Sequence, residues 1–302
     1  MTRVPETPWI VDLKRNSLDD GPGIRTVVFF KGCPLRCVWC QNPETVAPLP
    51  VLQRTGESCL SCGACVTACP HGRARPAREK EPEQIDCTRC GSCVEACPSG
   101  SRRIAGEQCT PEVLEQRLMR DQVFYRRSGG GVTLSGGEPA LFTEYVGEVA
   151  RRLRARDVHV LIETCGQFEW SAFSKHLLPH LSTVYFDLKL ADPERHRKWV
   201  GRDNETIHEN FRRVAREHPD VLPRIPLVPG LTDDEENLSA LAELVRSVGL
   251  RRLALLPYNP LWVNKRKALG LELPYAHAEW MPKAEVARCE AALTRTGLAV
   301  VH

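Results

Sequence analysis

Cys33, Cys37 and Cys40 are the residues of this 302-residue chain with the most chemistry in their spacing. A CxxxCxxC loop offers three thiolates, soft ligands that favour iron-sulfur clusters or zinc. Three such ligands hold three irons of a four-iron cube and leave the fourth without a protein ligand, open to chemistry. A zinc site short of its fourth ligand, or three unrelated buried cysteines, fits the same spacing. The triad directly follows the apolar run Thr26, Val27, Val28, Phe29, Phe30, which puts it on a loop leaving a buried strand.

Two further runs, Cys59-Cys62-Cys65-Cys69-Pro70 and Cys87-Cys90-Cys93-Cys97-Pro98, each read CxxCxxCxxxCP. In bacterial two-cluster ferredoxins this spacing lets the fourth cysteine of each run ligate the cluster held mainly by the other. The expected sets are therefore Cys59, Cys62, Cys65 and Cys97 for one cluster, and Cys87, Cys90, Cys93 and Cys69 for the second. Four cysteines repeated in this pattern fit zinc poorly. Clusters with all four irons ligated move electrons and do not bind substrate. The segment, residues 52–104, lies between Pro48-Leu49-Pro50 and Cys109-Thr110-Pro111 and holds few large apolar residues. Its core would be the clusters themselves, metal and chain folding together.

The elements that must position these loops alternate. Strands are expected at Thr26–Phe30, Val132–Leu134, Val158–Ile162, Thr183–Leu188, Val221–Leu227 and Leu253–Leu256, with helices at Pro111–Tyr125, Phe142–Arg156, Ser171–Leu181, Asn204–Glu217 and Asp234–Val248. Repeated βα units imply a parallel sheet covered by helices, an α/β fold, and six of them can form an open barrel. Chemistry in such folds gathers where strands end. The residues there are Ser135-Gly136-Gly137-Glu138-Pro139, Glu163-Thr164-Cys165-Gly166, Asp187-Leu188-Lys189, Arg224-Ile225-Pro226 and Pro257-Tyr258-Asn259. Gly136 and Gly137 would let a ligand approach the backbone, and Glu138, Glu163, Asp187 and Lys189 can pair with an amine or a carboxylate. Taken singly, Gly-Gly is a turn and Asp-x-Lys a surface ion pair; converging beside an open iron, they suggest an amino-acid-like ligand.

Composition excludes several classes. With 42% hydrophobic and 26% charged residues the chain is ordinary for a globular protein, and its net charge of +3 is interleaved, giving no nucleic-acid footprint. Arg151, Arg152, Arg154 and Arg156 read as the solvated face of an amphipathic helix. No run of eighteen apolar residues exists and Met1 to Glu6 carry no signal core, so no membrane association and a cytoplasmic location are expected. Fourteen cysteines in a reducing compartment favour metal over disulfides. Cys109, Cys165 and Cys289 fall outside the motifs and read as small buried hydrophobes.

Two long segments now make a family resemblance visible. Asp20-Gly21-Pro22-Gly23-Ile24-Arg25-Thr26, continuing into Lys31 to Cys40 and Asn42-Pro43-Glu44, and Ser128-Gly129-Gly130-Gly131-Val132-Thr133-Leu134-Ser135-Gly136-Gly137-Glu138-Pro139 resemble the two signatures of the glycyl-radical enzyme activating enzymes, within the radical S-adenosylmethionine (SAM) superfamily. A cysteine-rich insert after the CxxxCxxC loop resembles the larger subgroup and not the insert-free pyruvate formate-lyase type. The resemblance implies a partial (β/α)6 radical SAM barrel formed by residues 1–51 and 105–302, with a ferredoxin-like domain inserted after the first strand.

It also implies the chemistry. S-adenosylmethionine chelates the open iron through its amino and carboxylate groups; one electron splits it into methionine and a 5'-deoxyadenosyl radical, which takes a Cα hydrogen from a glycine of a partner enzyme. Three 4Fe-4S clusters, a monovalent cation and a flavodoxin or ferredoxin electron donor complete what the resemblance implies. Cys33, Cys37, Cys40 and Lys189 would be catalytic. Gly136, Gly137 and Glu138 would hold the methionyl amino group, with Glu163 near that end. Asp187, Lys189 and Arg224 would contact the ligand, and Trp39 would lie near the adenine. Asp20 to Arg25 match a segment facing the partner's glycine loop. Where insert-free relatives have a histidine after Pro-Tyr, this chain has Asn259, which can donate to a ribose hydroxyl but cannot change charge. Radical modification of another peptide or small molecule, and a non-catalytic electron carrier, are the rival readings. An electron carrier has no use for an open iron or for Ser135 to Pro139.

Overall fold

A computed structural model describes residues 6–79, 87–275 and 277–301. The N-terminal residues 1–5, the stretch 80–86 within the cysteine-rich segment, and positions 276 and 302 lie outside the described residues, and with them part of the sequence expectations for the N-terminus and for 52–104.

Ten strands are described: β1 (Ile10–Ser17), β2 (Arg25–Phe30), β3 (Val51–Arg54), β4 (Arg102–Ala105), β5 (Gly131–Gly136), β6 (His159–Thr164), β7 (Thr183–Asp187), β8 (Val221–Leu227), β9 (Arg252–Pro257) and β10 (Ala299–Val301). Eight form one sheet in the order β1-β2-β5-β6-β7-β8-β9-β10, parallel throughout except for β1, which runs antiparallel to β2. The central strands are buried on both faces, as their near-continuous Val, Ile, Leu and Phe require.

Helices cover the sheet with apolar stripes. Thr143–Arg154 buries Tyr145, Val146, Val149, Ala150 and Leu153, and Glu205–Glu217 buries Ile207, Phe211 and Val214. Carboxylate caps fix several starts: Asp192 accepts from Arg195 N, and Asp234 from Asn237 N. The expected helix over Pro111–Tyr125 is broken into Pro111–Leu118, a 3-10 turn at Met119–Asp121 and Gln122–Ser128. The arginine face of Thr143–Arg154 is not simply solvated, because Arg152 bridges Glu148, Glu112 and Glu115 and so ties its helix to Pro111–Leu118.

β1 is not legible in the sequence, and its presence means that the cysteine-rich segment follows the second of the described strands, the first being an edge strand. That segment is closed off by the antiparallel pair β3–β4, which sets Val51 opposite Ala105 and Arg54 opposite Arg102. Within it the two cysteine runs share one backbone path at an offset of 28 residues. Ser61 and Arg89 take φ of 53° and 59°, Gly63 and Gly91 take 75° and 89°, and Gly72 and Gly100 take 63° each. A short helix starts after each left-handed glycine, Ala64–Ala68 and Ser92–Glu95. Gly72 N and Gly100 N then donate back to Cys69 O and Cys97 O.

Candidate active site

One cavity of about 420 Å³ is lined by the C-terminal ends of β5 to β9 and by the loop after β2. A single space touching all these strand ends requires the sheet to curve around it. Cys33, Cys37 and Cys40 line it together with Trp39, which is buried. Gly136, Gly137, Glu163, Asp187, Lys189, Arg224 and Asn259 join them, so that of the set sequence reasoning assembled only Glu138 is absent from the lining. The volume is ordinary for a site enclosing a cofactor-sized molecule.

The charged residues form one network set by strand register. β7 and β8 pair Asp187 with Arg224, and β6 and β7 pair Glu163 with Tyr185. Arg224 donates from Nε to Asp187 Oδ1 at 2.9 Å, reaches Glu163 through Nη1, and lies over the Tyr185 ring at 5.1 Å. Ser135 Oγ donates to Glu163 at 2.5 Å. Lys189 Nζ stands 3.5 Å from Asp187 Oδ2. Burial alone would raise the Asp187 carboxyl, but Arg224 and Lys189 outweigh it and hold the carboxyl below the usual aspartate range. For Lys189 burial works against charge, and Asp187 with the nearby thiols more than reverses it, so the amine stays cationic. An ammonium has three donors, and the only ion pair described for this one is long.

Burial pushes the Cys40 thiol up to about 12 and Cys37 higher still, so in the free protein both stay protonated. Cys33 is shifted the other way by a hydrogen bond with Cys165. Three soft donors on one loop, opposite fixed cations and carboxylates, fit an iron-sulfur cluster bearing an amino-acid-like ligand. Among the described residues no group of three or more His, Cys, Asp or Glu side chains is gathered around the point a single metal ion would occupy.

The geometry departs from the sequence reading at four places. Glu138 is fully buried and does not line the cavity; its carboxylate accepts from Thr164 Oγ1 at 2.9 Å, Cys165 N at 2.7 Å and Ala140 N at 3.0 Å, bracing the turn after β5 against the end of β6. Gly136 and Gly137 face a backbone and not only a ligand: a Cβ would fall 2.4 Å from Phe30 N and 2.2 Å from Gly32 O. Arg25 is buried and donates to Thr133 Oγ1 and Val132 O, so in the Asp20 to Arg25 segment it is Asp20, with Asp19, that reaches the cavity. Cys165 is more than a core residue, since it lines the cavity beside Cys33. Ser135, Thr164 and Tyr258, which stand in the strand-end segments the sequence picks out but carry no assigned role there, also line the cavity, as does Gln41, which sequence reasoning misses. For Ser135, its place immediately before Gly136 is an available signal.

The cysteine-rich segment holds two smaller cavities. One is lined by Cys69, Cys87, Cys90 and Cys93, the other by Cys59, Cys62, Cys65 and Cys97. Each takes three thiols from one run and the fourth from the other, the grouping the spacing leads us to expect.

Comparisons with known proteins agree with this geometry. A family model described as the Radical SAM superfamily matches residues 27–242. The chain is 37% identical to the isethionate sulfite-lyase activating enzyme of Nitratidesulfovibrio vulgaris, covering 94% of each chain. It is 35% identical to the pyruvate formate-lyase 2-activating enzyme of Escherichia coli, over 99% of this chain and 94% of that one. Among solved structures, a radical SAM methyltransferase from Sphaerobacter thermophilus superposes with a TM-score of 0.52 at 16% identity, over 99% of this chain and 78% of that one, a likeness of fold alone.

Proposed function

The chain belongs to the radical SAM superfamily, and we infer from its site how its residues serve the activity of a glycyl-radical enzyme activating enzyme, the class of its relatives. The observation that carries this reading is the meeting of the CxxxCxxC thiols with the Glu163–Arg224–Asp187–Lys189 network around one cavity. When bound, a reduced four-iron cluster and S-adenosylmethionine supply the radical chemistry that removes a Cα hydrogen from a glycine of the partner enzyme.

The protein's part is to bind, orient and exclude water. Cys33, Cys37 and Cys40 hold three corners of the cluster. Lys189 has donors to spare for a carboxylate, and Glu163 and Asp187, both paired with Arg224, offer carboxylates to an ammonium or sulfonium. Trp39 offers an apolar face to a nucleobase, and Asn259 a donor or acceptor to its sugar. Glu138 contributes by bracing the turn that carries Gly136 and Gly137. We read residues 1–51 and 105–302 as a partial (β/α)6 barrel and 52–104 as a ferredoxin-like domain. Its two cavities would hold two four-iron clusters loaded by a flavodoxin or a ferredoxin, a reading supported by the crossed cysteine sets.

Anaerobic reconstitution tests both halves. Cys33→Ala should abolish S-adenosylmethionine cleavage while about eight irons per chain remain, because the insert keeps its own ligands. The unmodified protein, mixed with a glycyl-radical enzyme and a low-potential reductant, should give a glycine-centred radical signal. Full cleavage by Cys33→Ala would sink the assignment of the site.

A further inference from the structure

The two four-cysteine cavities meet at one side chain. Arg102, the first residue of β4, is 3% exposed and lines both. Its Nη1 donates to the carbonyl of Arg75 at 2.6 Å, which fixes the guanidinium against the chain between the two cysteine runs. The cavities are ranked along the β3–β4 pair. The one with Cys69 reaches Leu52 and Ile104, towards the end of the pair that joins the large sheet, while the other reaches Ser101, towards the far end. Arg102 stands between them.

We propose that Arg102 is a shared electrostatic positioning residue for the two insert clusters, raising the reduction potentials of both. This rests on the reading of 52–104 as a two-cluster domain. A guanidinium remains charged in any protein environment. Reduction adds one negative charge to a cluster, and net charge around a cluster is among the factors that set its potential. A fixed cation in contact with both sites therefore favours the reduced state of each, and burial strengthens the effect by lowering the local dielectric. The Coulomb influence of Arg102 already extends to Cys65 in one of the two sets. An electron handed from a low-potential flavin or iron-sulfur protein to the far cluster, and on to the near one, passes this charge on the way.

The test compares Arg102→Gln, which can still donate to the Arg75 carbonyl, with Arg102→Lys, which keeps the charge. Redox titrations of fully loaded protein are followed by electron paramagnetic resonance. In Arg102→Gln the reduction equilibrium of both clusters should fall about tenfold or more, 59 mV for a one-electron couple, at unchanged iron content. Arg102→Lys should stay within about threefold of the parent, on the same scale. Loss of clusters from the Gln variant alone would make Arg102 a structural residue and overturn the proposal. Unchanged potentials in Arg102→Gln, a shift of only one cluster, or loss of clusters from both variants would overturn the proposal. About four irons per chain in the unmodified protein would overturn the two-cluster reading first, and this inference with it.

Discussion

Arg224 grips Asp187 with two nitrogens, Nε at 2.9 Å and Nη2 at 2.8 Å from the same carboxylate oxygen, while its third nitrogen holds Glu163. One guanidinium thus pairs with two inward carboxylates side by side. Without it they would repel, and the carboxyl of Asp187 would lose the larger of the two charges that hold it down. Arg224→Gln is expected to weaken S-adenosylmethionine binding at least about tenfold and to destabilise the protein by about 3 kcal/mol, at the low end for a broken buried pair because both acids face a cavity. Equilibrium dialysis and anaerobic thermal unfolding measure the two effects. Unchanged binding would remove Arg224 from the ligand's surroundings.

Glu138 separates a ligand contact from a brace. If its carboxylate gripped a methionyl ammonium, Glu138→Gln would lose the charge and most of the affinity. In the structure its two oxygens share the donors, Oε1 accepting from Ala140 N and Oε2 from Cys165 N, with Thr164 Oγ1 reaching both. Glu138→Gln, which keeps one acceptor and sets an NH2 against the other N–H, should therefore lower the melting temperature while binding stays within about threefold. Glu138→Ala orphans three buried donors and should cost roughly 3 kcal/mol or more. A tenfold loss of affinity in Glu138→Gln with an unchanged melting temperature would restore the direct contact.

The sequence is most informative where chemistry repeats in spacing. The crossed cysteine sets, the six central strands and the inward acids and bases at their ends can all be read, because thiolate spacing and buried apolar runs are local signals. β1 cannot, since Ile10–Ser17 is a half-exposed edge strand mixing Asp12, Lys14 and Arg15 among its apolar residues. The orientation of Glu138 cannot either: which way a side chain turns depends on donors 26 and 27 residues away in sequence, Thr164 and Cys165. Cys165 reads by default as a core residue because nothing near it in sequence points to Cys33.

Gly136, at the end of β5, should behave unlike a glycine of the same handedness elsewhere. Gly136→Ala combines φ of +105° with a Cβ 2.4 Å from Phe30 N, and backbone at that distance cannot give way. It should prevent stable folding or cost more than the 1–3 kcal/mol of a strained residue. Gly230→Ala, at φ +72° with open space around the new methyl, should cost only about 1–2 kcal/mol. Soluble yield and urea unfolding of the pair test this; equal losses would mean that handedness, and not the approach of β2, dictates glycine at 136.

His196 should make the protein acid-sensitive in a defined window. The ring is 1% exposed and its Nδ1 sits 2.6 Å from the Arg202 carbonyl, which can only accept, so that nitrogen carries the hydrogen. Burial first, and then Lys189, press its pKa down to about 4 against the raising effect of the Arg202 carbonyl. An unfolded histidine titrates near 6.5. Below that pH the unfolded chain takes up a proton that the folded one refuses, so stability is full above about 6.5 and declines as pH falls towards 4. The decline is up to about 1.4 kcal/mol per pH unit from this residue. His159 and His208, also lowered to about 4, act in the same direction. His196→Asn keeps a donor for the carbonyl but does not titrate, so it should be less stable than the parent at pH 7.5 and lose less between pH 7.5 and 5.5. Anaerobic urea unfolding at the two pH values measures the difference. Parallel losses in parent and variant would show that His196 is already protonated in the fold.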